Sequence, residues 1–265
     1  TLPMTNLKIK SLFSALSAVT ATIIIAIFIG RGADAVADSK GVRVFSSPIY
    51  SSYGVSIPNE FEVHGIDVSR HQKNINWEAV SKVKHDDVAL SFAFIKASEG
   101  MTLTDDYFKH NWKEAKKHGL LRGAYHFYRP HLGADIQANL FFSQLPKLEK
   151  GDLPPVLDIE LKGSTDIKIL RKNLKRWLVL VENKYGVKPI IYTSYHFYKT
   201  YLNTSEFKGY PLWIAHYKAT NLYEKMDGWH FWQHTDRGYV NGIHGTVDFN
   251  VFKGSLDELQ TLCKQ

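Results

Sequence analysis

An irregular TIM-like α/β barrel, with eight strands and fewer than eight outer helices, is the fold class this sequence predicts. Three observations point to it. Short apolar or β-branched runs recur at 64–69, 92–98, 123–127, 154–160, 189–194, 211–217, 230–235 and 246–252. Helical patterns separate the early runs, which argues for parallel βαβ units, and eight such strands suggest closure into a barrel. The intervals 218–229 and 236–245 are too short and Gly-rich for good helices, so the late part of the barrel should lack them.

The elements follow in chain order. Lys8 and Lys10 precede an uncharged stretch from Ser11 to Gly30, and Ala33-Asp34-Ala35-Val36-Ala37 follows. A basic start, an apolar region and an Ala-x-Ala-like site read as an export signal over 1–37. The apolar part is also about long enough to span a bilayer, so a retained inner-membrane anchor over 11–30 is the other reading. Either way the lysines stay inside and the remainder is periplasmic or extracellular. Residues 38–62, rich in Ser, Gly and Pro, read as a linker, and the barrel domain occupies 63–265. A helix is expected over 105–118, with Phe108, Trp112 and Ala115 on one face and Gly119 as its stop. Another is expected over 165–185 behind the cap candidates Ser164 and Thr165. It carries Ile167, Leu170, Leu174, Trp177, Val181 and Tyr185 at helical spacing.

Bulk composition narrows the function classes. With 44% hydrophobic and 22% charged residues the chain is globular, and 13% aromatics supply either core or surfaces for stacking on sugar rings. The net charge of +7 suits an anionic partner, yet no single run is basic enough to indicate nucleic acid. One cysteine, Cys263, excludes an internal disulfide and a Cys-based metal cluster. No G-x-S-x-G, G-x-G-x-x-G or Walker loop occurs.

In a parallel barrel, chemistry gathers at the C-terminal strand ends. There the sequence places Asp67, the pair Asp158 and Glu160, and Asp248. Side chains two apart on a strand share a face, so Asp158 and Glu160 should point together into the mouth. Repulsion between them should leave one protonated near neutral pH, which is the state that glycoside hydrolysis needs. His126, His216 and His234 also fall at strand ends. With twelve histidines in the chain such placements arise by chance, and no metal or other cofactor is expected.

These residues carry a family resemblance. His64-Gly65-Ile66-Asp67-Val68-Ser69 with Gln72 and Trp77, Phe94-Ile95-Lys96-Ala97-Ser98-Glu99-Gly100, and Gly123-Ala124-Tyr125-His126-Phe127 are the first blocks. Pro155-Val156-Leu157-Asp158-Ile159-Glu160, Pro189-Ile190-Ile191-Tyr192-Thr193 and Leu212-Trp213-Ile214-Ala215-His216-Tyr217 follow. Phe231-Trp232-Gln233 and Val247-Asp248-Phe249-Asn250 complete the series. In this order, over roughly 63–255, the chain resembles glycoside hydrolase family 25, the Chalaropsis-type lysozymes or N-acetylmuramidases. The resemblance implies cleavage of the β-1,4 bond between N-acetylmuramic acid and N-acetylglucosamine in peptidoglycan strands by a monomer. It implies Glu160 as general acid, with Asp158, Asp67 and Asp248 completing an acidic cluster. Tyr125, Tyr192, Trp213, Tyr217 and Gln233 would line the sugar groove. A non-catalytic glycan-binding barrel and a chitinase are the alternatives. Against the second, the chitinase pattern D-x-x-D-x-D-x-E is absent before Glu160.

Overall fold

The computed structural model describes residues 49–50, 53–85 and 88–265. The expected signal or anchor, 1–37, lies outside them. Among the described residues no helix is long and apolar enough to cross a membrane.

Eight strands close the barrel: β1 (Val63–Val68), β2 (Val88–Glu99), β3 (Leu121–Phe127), β4 (Val156–Asp158), β5 (Ile190–Ser194), β6 (Leu212–Ala215), β7 (Phe231–Gly238) and β8 (Val247–Phe252). The order around the barrel is β1-β2-β3-β4-β5-β6-β7-β8, and β8 returns to β1. From β1 to β7 neighbouring strands run parallel. The expectation of parallel units fails at the end, because β8 is antiparallel to both β7 and β1. The physical reason is the short 239–246 connection. It holds no crossover helix, and without one a chain can only turn back on itself.

Outside the barrel lie α1 (Trp77–Lys82), α2 (Phe108–Lys117), α3 (Ala134–Gln144), α4 (Ile167–Tyr185) and, at the C-terminal end, α5 (Leu256–Leu262). Helix α4 buries Leu170, Leu174, Trp177, Val181 and Tyr185, the spacing of an amphipathic stripe. Its cap is Asp166 rather than Ser164 or Thr165. The Asp166 carboxylate accepts from the backbone of Lys168 and Ile169, and Gly186 ends the helix at φ 69°. Asp105, expected to start α2, instead accepts from the backbone of Arg70 and Tyr107 ahead of it. Residues 53–62, the end of the stretch expected to be a linker, carry Tyr53, Ile57 and Phe61 into the core, and the Tyr53 hydroxyl donates to the Val88 carbonyl (3.1 Å).

Alternation along the strands sorts the apolar residues into two layers. One packs between barrel and helices. The other fills the barrel interior with Phe92, Phe94, Val156, Ile190, Trp213 and Phe231, above Leu153, Leu259 and Cys263. Phe94 stacks on Trp213 with centroids 4.4 Å apart. Gly65 and Gly123 make room for these rings, since a Cβ on either would lie 2.5 Å from Phe92 or Phe94. The filled interior closes the barrel to any through-channel, so the side chains at the C-terminal strand ends face an open mouth.

Candidate active site

The mouth holds a cavity of about 300 Å³ whose wall includes Asp67, Lys96, Tyr125, Asp158, Glu160 and Asp248. All four expected acids therefore meet in one cleft. The antiparallel return of β8 sets Asp248 directly opposite Asp67 across the ladder, and Asn250 two residues further down opposite Gly65. Beneath the acids lies a closed hydrogen-bond network. Gln233 Nε2 donates to Asp67 (2.8 Å) and to Asp248 (3.4 Å), and Asn250 Nδ2 donates to Asp67 (2.8 Å). Gln233 Oε1 accepts from the hydroxyls of Tyr192 (2.8 Å) and Tyr217 (2.7 Å), and Trp213 Nε1 donates to Asn250 (2.7 Å).

This network refines the expected groove. Gln233 uses both ends of its amide on the protein and is buried, so it positions the acids rather than facing a sugar. Trp213 is buried as the floor, while Tyr217 is 48% exposed on the rim. Tyr125 and Tyr192 both keep their protons: burial pushes the two hydroxyls well above the usual range, aided by Asp67 beside Tyr125 and Asp158 beside Tyr192.

The pair at the end of β4 divides unequally. Backbone bonds from Tyr128 N to Asp158 O (2.8 Å) and from Ile159 N to Tyr192 O (3.0 Å) fix the strand end. Asp158 is 4% exposed and its Oδ1 has no hydrogen-bond partner, whereas Glu160 stands past the strand and is open to the cleft. Burial, then the neighbouring Glu160, drives the Asp158 carboxyl well above the usual range. Glu160 is raised by burial and by Asp67. Both carboxyls are thus biased toward the protonated form, the buried Asp158 more strongly than Glu160. A second shared proton lies across the mouth. Burial and Asp67 push Asp248 up to about 9, so at neutral pH it donates to Asp67, whose own value burial also raises.

Sequence reasoning missed the cationic side of the cleft. Lys96 faces the mouth and lowers both Asp158 and Glu160. Its Nζ donates to Glu99 (2.7 Å), which also takes Arg129, and both cations lie over the Phe127 ring, 5.0 and 4.7 Å from its centroid. The signal was available: Lys96 follows Phe92 and Phe94 at a spacing of two on one strand face. Asn250, two after Asp248, was missed for the same reason.

The strand-end histidines do not join the cleft. His126 points outward, bonded to Ser98 Oγ (2.8 Å) and stacked on Trp177. His234 is packed against Trp232 and Phe249, and His216 against Tyr195. His230 precedes β7 and His234 lies within it, so the two do not share one helical turn. Among the described residues no group of three His, Cys, Asp or Glu is placed to hold a metal ion.

With this geometry in hand, the comparisons with known proteins agree in direction. Residues 66–243 match the family profile described as Glycosyl hydrolases family 25. The protein YegX of Escherichia coli strain K12 is 48% identical over 209 residues, covering 79% of this chain and 76% of that protein. Lysozyme M1 of Streptomyces globisporus is 34% identical over 215 residues, covering 76% of this chain and 71% of that protein. The crystal structure of the bacterial lysozyme from Streptomyces coelicolor superposes with a TM-score of 0.68 at 33% identity. That superposition covers 76% of this chain and 97% of the other.

Proposed function

Because the chain belongs to glycosyl hydrolase family 25, we propose that it cleaves peptidoglycan strands at the β-1,4 bond between N-acetylmuramic acid and N-acetylglucosamine. Glu160 is the general acid/base and Asp158 orients the 2-acetamido group. The observation that carries this division is the unpartnered, buried Asp158 Oδ1 beside a Glu160 that opens to the cleft.

The chemistry follows from one proton shared by two carboxyls. Before a sugar docks, the more deeply buried Asp158 holds it. An acetamido N–H docking on the Asp158 carboxyl favours the ionised carboxylate, because a donated hydrogen bond stabilises the charged form. A charged Asp158 then raises its neighbour, and the proton passes to Glu160, from which the leaving oxygen takes it. Asp158 meanwhile holds the acetamido carbonyl against the anomeric carbon as an internal nucleophile. Water opens the intermediate with Glu160 as base, and the product retains its configuration. Asp67 and Asp248 sit opposite with one proton between them and add negative charge where the sugar turns cationic. Tyr125 supplies a fixed hydroxyl donor, and Tyr192, Tyr217 and Trp213 shape the groove.

Glu160→Gln tests the acid. Loss of turbidity of purified peptidoglycan should slow by about 10²–10⁴-fold with folding intact, the range of general acid catalysis. Equal rates in the two proteins would remove Glu160 from the mechanism. NMR of the fresh products should show retained anomeric configuration, and inversion would exclude the acetamido route. A glycan-binding barrel without activity would leave turbidity unchanged in wild type, and a chitinase would degrade chitin instead. Action on the wall requires export, which residues 1–37 would supply either as a cleaved signal or as a retained anchor; N-terminal sequencing of the mature protein separates the two.

A further inference from the structure

A second cavity, of about 650 Å³, lies at the opposite end of the barrel from the acids. Pro154, Pro211 and His230 on its wall stand at the N-terminal starts of β4, β6 and β7, whereas the catalytic cleft opens at the C-terminal ends. Its charges are one-sided. Lys188, Lys208 and Lys264 line it, and no Asp or Glu side chain does.

The three lysines come from separate segments that the fold brings together. Lys188 Nζ donates to the Gly209 carbonyl (3.3 Å), next to Lys208. Lys264 Nζ donates to the Tyr185 carbonyl (3.1 Å), and lies 3.5 Å from where a Cβ on Gly186 would be. Neither meets a carboxylate, and among the described residues Lys208 Nζ has no acceptor. Both glycines hold positive φ (69° at Gly186, 87° at Gly209), and a Cβ on Gly209 would stand 3.6 Å from Lys188 Nζ. Side-chain-free backbone thus keeps the space beside two ammonium groups open. Tyr198, Phe207, Leu212 and Leu262 supply an apolar wall. His230 is neutral there, held below its usual range by burial and Lys253.

We propose that this basal cavity is a second binding site, separate from the glycan cleft, for a phosphate ester that carries an organic group. Three ammonium groups with no Asp or Glu side chain among the lining residues favour an anion of more than one charge with several acceptor oxygens, which a phosphate provides and a single carboxylate does not. The volume exceeds that of an inorganic ion, and the aromatic and leucine wall suits a carbon skeleton attached to the phosphate. The same chemistry is offered by a free polyol phosphate and by a phospholipid headgroup. Binding there would tether the barrel by its base and leave the acid-lined mouth facing away.

The test compares wild type with the double variant Lys188→Gln/Lys208→Gln, chosen because both side chains are exposed and Lys264 is left to its backbone contact. Calorimetric titration with glycerol 3-phosphate forms one arm. Co-sedimentation with phosphatidylglycerol vesicles, against phosphatidylcholine vesicles, forms the other. Wild type should bind in at least one arm, and the double variant at least about tenfold more weakly, as expected for losing charged hydrogen-bond donors. Which arm responds identifies the free ester or the headgroup. Peptidoglycan turbidity loss should be unchanged in the double variant, so this outcome is independent of the proposed catalysis. No binding in either arm, or equal binding by both proteins, overturns the proposal.

Discussion

Asp248→Asn should stabilise the fold while impairing the enzyme. At pH 7 the folded protein keeps a proton on Asp248, whose carboxyl sits at about 9 against an ordinary 3.8. The unfolded chain has released that proton over roughly three pH units, and at about 1.4 kcal/mol per unit the burden is ~4 kcal/mol. Asp67 shares the proton, so removing one carboxyl should recover about half, ~2 kcal/mol. The asparagine Nδ2 can donate to Asp67 without taking up a proton, and Gln233 and Asn250 still donate to Asp67 from below. The pH dependence gives the sharper check. A folded value above the unfolded one means that the favourable contribution is complete below about pH 3.8 and fades as pH rises toward 9. The advantage of Asp248→Asn should therefore be near zero at pH 4, ~2 kcal/mol at pH 7 and larger at pH 9. Urea unfolding across this range measures it. A difference that is flat with pH, or a variant less stable at pH 8, would refute the shared-proton reading. Turbidity loss should fall in the same variant, the stability–activity trade-off expected of a strained acidic site.

Other perturbations have equally specific outcomes. His234 is buried, lowered to about 3, and its Nε2 has no partner, so stability is present above its ordinary 6.5 and drains as pH falls toward 3. His234→Leu should flatten the acid limb of a urea-midpoint profile by up to roughly 5 kcal/mol, and an unchanged slope would count against this role. Gly123→Ala forces a Cβ within 2.5 Å of the Phe94 ring and should cost about 1–3 kcal/mol. Adding Phe94→Leu should return part of that loss, and strict additivity in a double-mutant cycle would disprove the clash. Arg122 holds the buried Asp152 through Nε (2.8 Å) and reaches the Trp112 carbonyl, so Arg122→Met should cost about 3–5 kcal/mol in chemical unfolding. A loss below 1 kcal/mol would show that Asp152 finds another partner.

Much of the site was legible because strand geometry is simple. A spacing of two puts Asp158 and Glu160 on one face, and the recurrence of short apolar runs placed that face at a barrel mouth. Asp67 and Asp248 were found as isolated acids at strand ends, but nothing local said that they oppose each other. The direction of β8 decides that, and it depends on the missing crossover helix. Gln233 looked like a groove residue by position, yet its four hydrogen bonds assign it to the scaffold. Lys96 could have been found from its spacing of two after Phe94, whereas its link through Glu99 to Arg129 has no one-dimensional signature, because the chain is gathered from two segments.

The sequence by itself determined the strand count, the long amphipathic helix and the placing of four acids at strand ends. Each of these is written in short-range pattern: period two, period 3.6, and residue type at a strand end. Only the tertiary structure decided how the acids differ. Burial and proximity set protonation, and both are properties of neighbours remote in sequence. Asp158 became the buried partner with an unused oxygen, Glu160 the one open to the cleft, and Asp248 the holder of a proton shared with Asp67. The basal cavity belongs to the same class, since Lys188, Lys208 and Lys264 become neighbours only when the barrel closes.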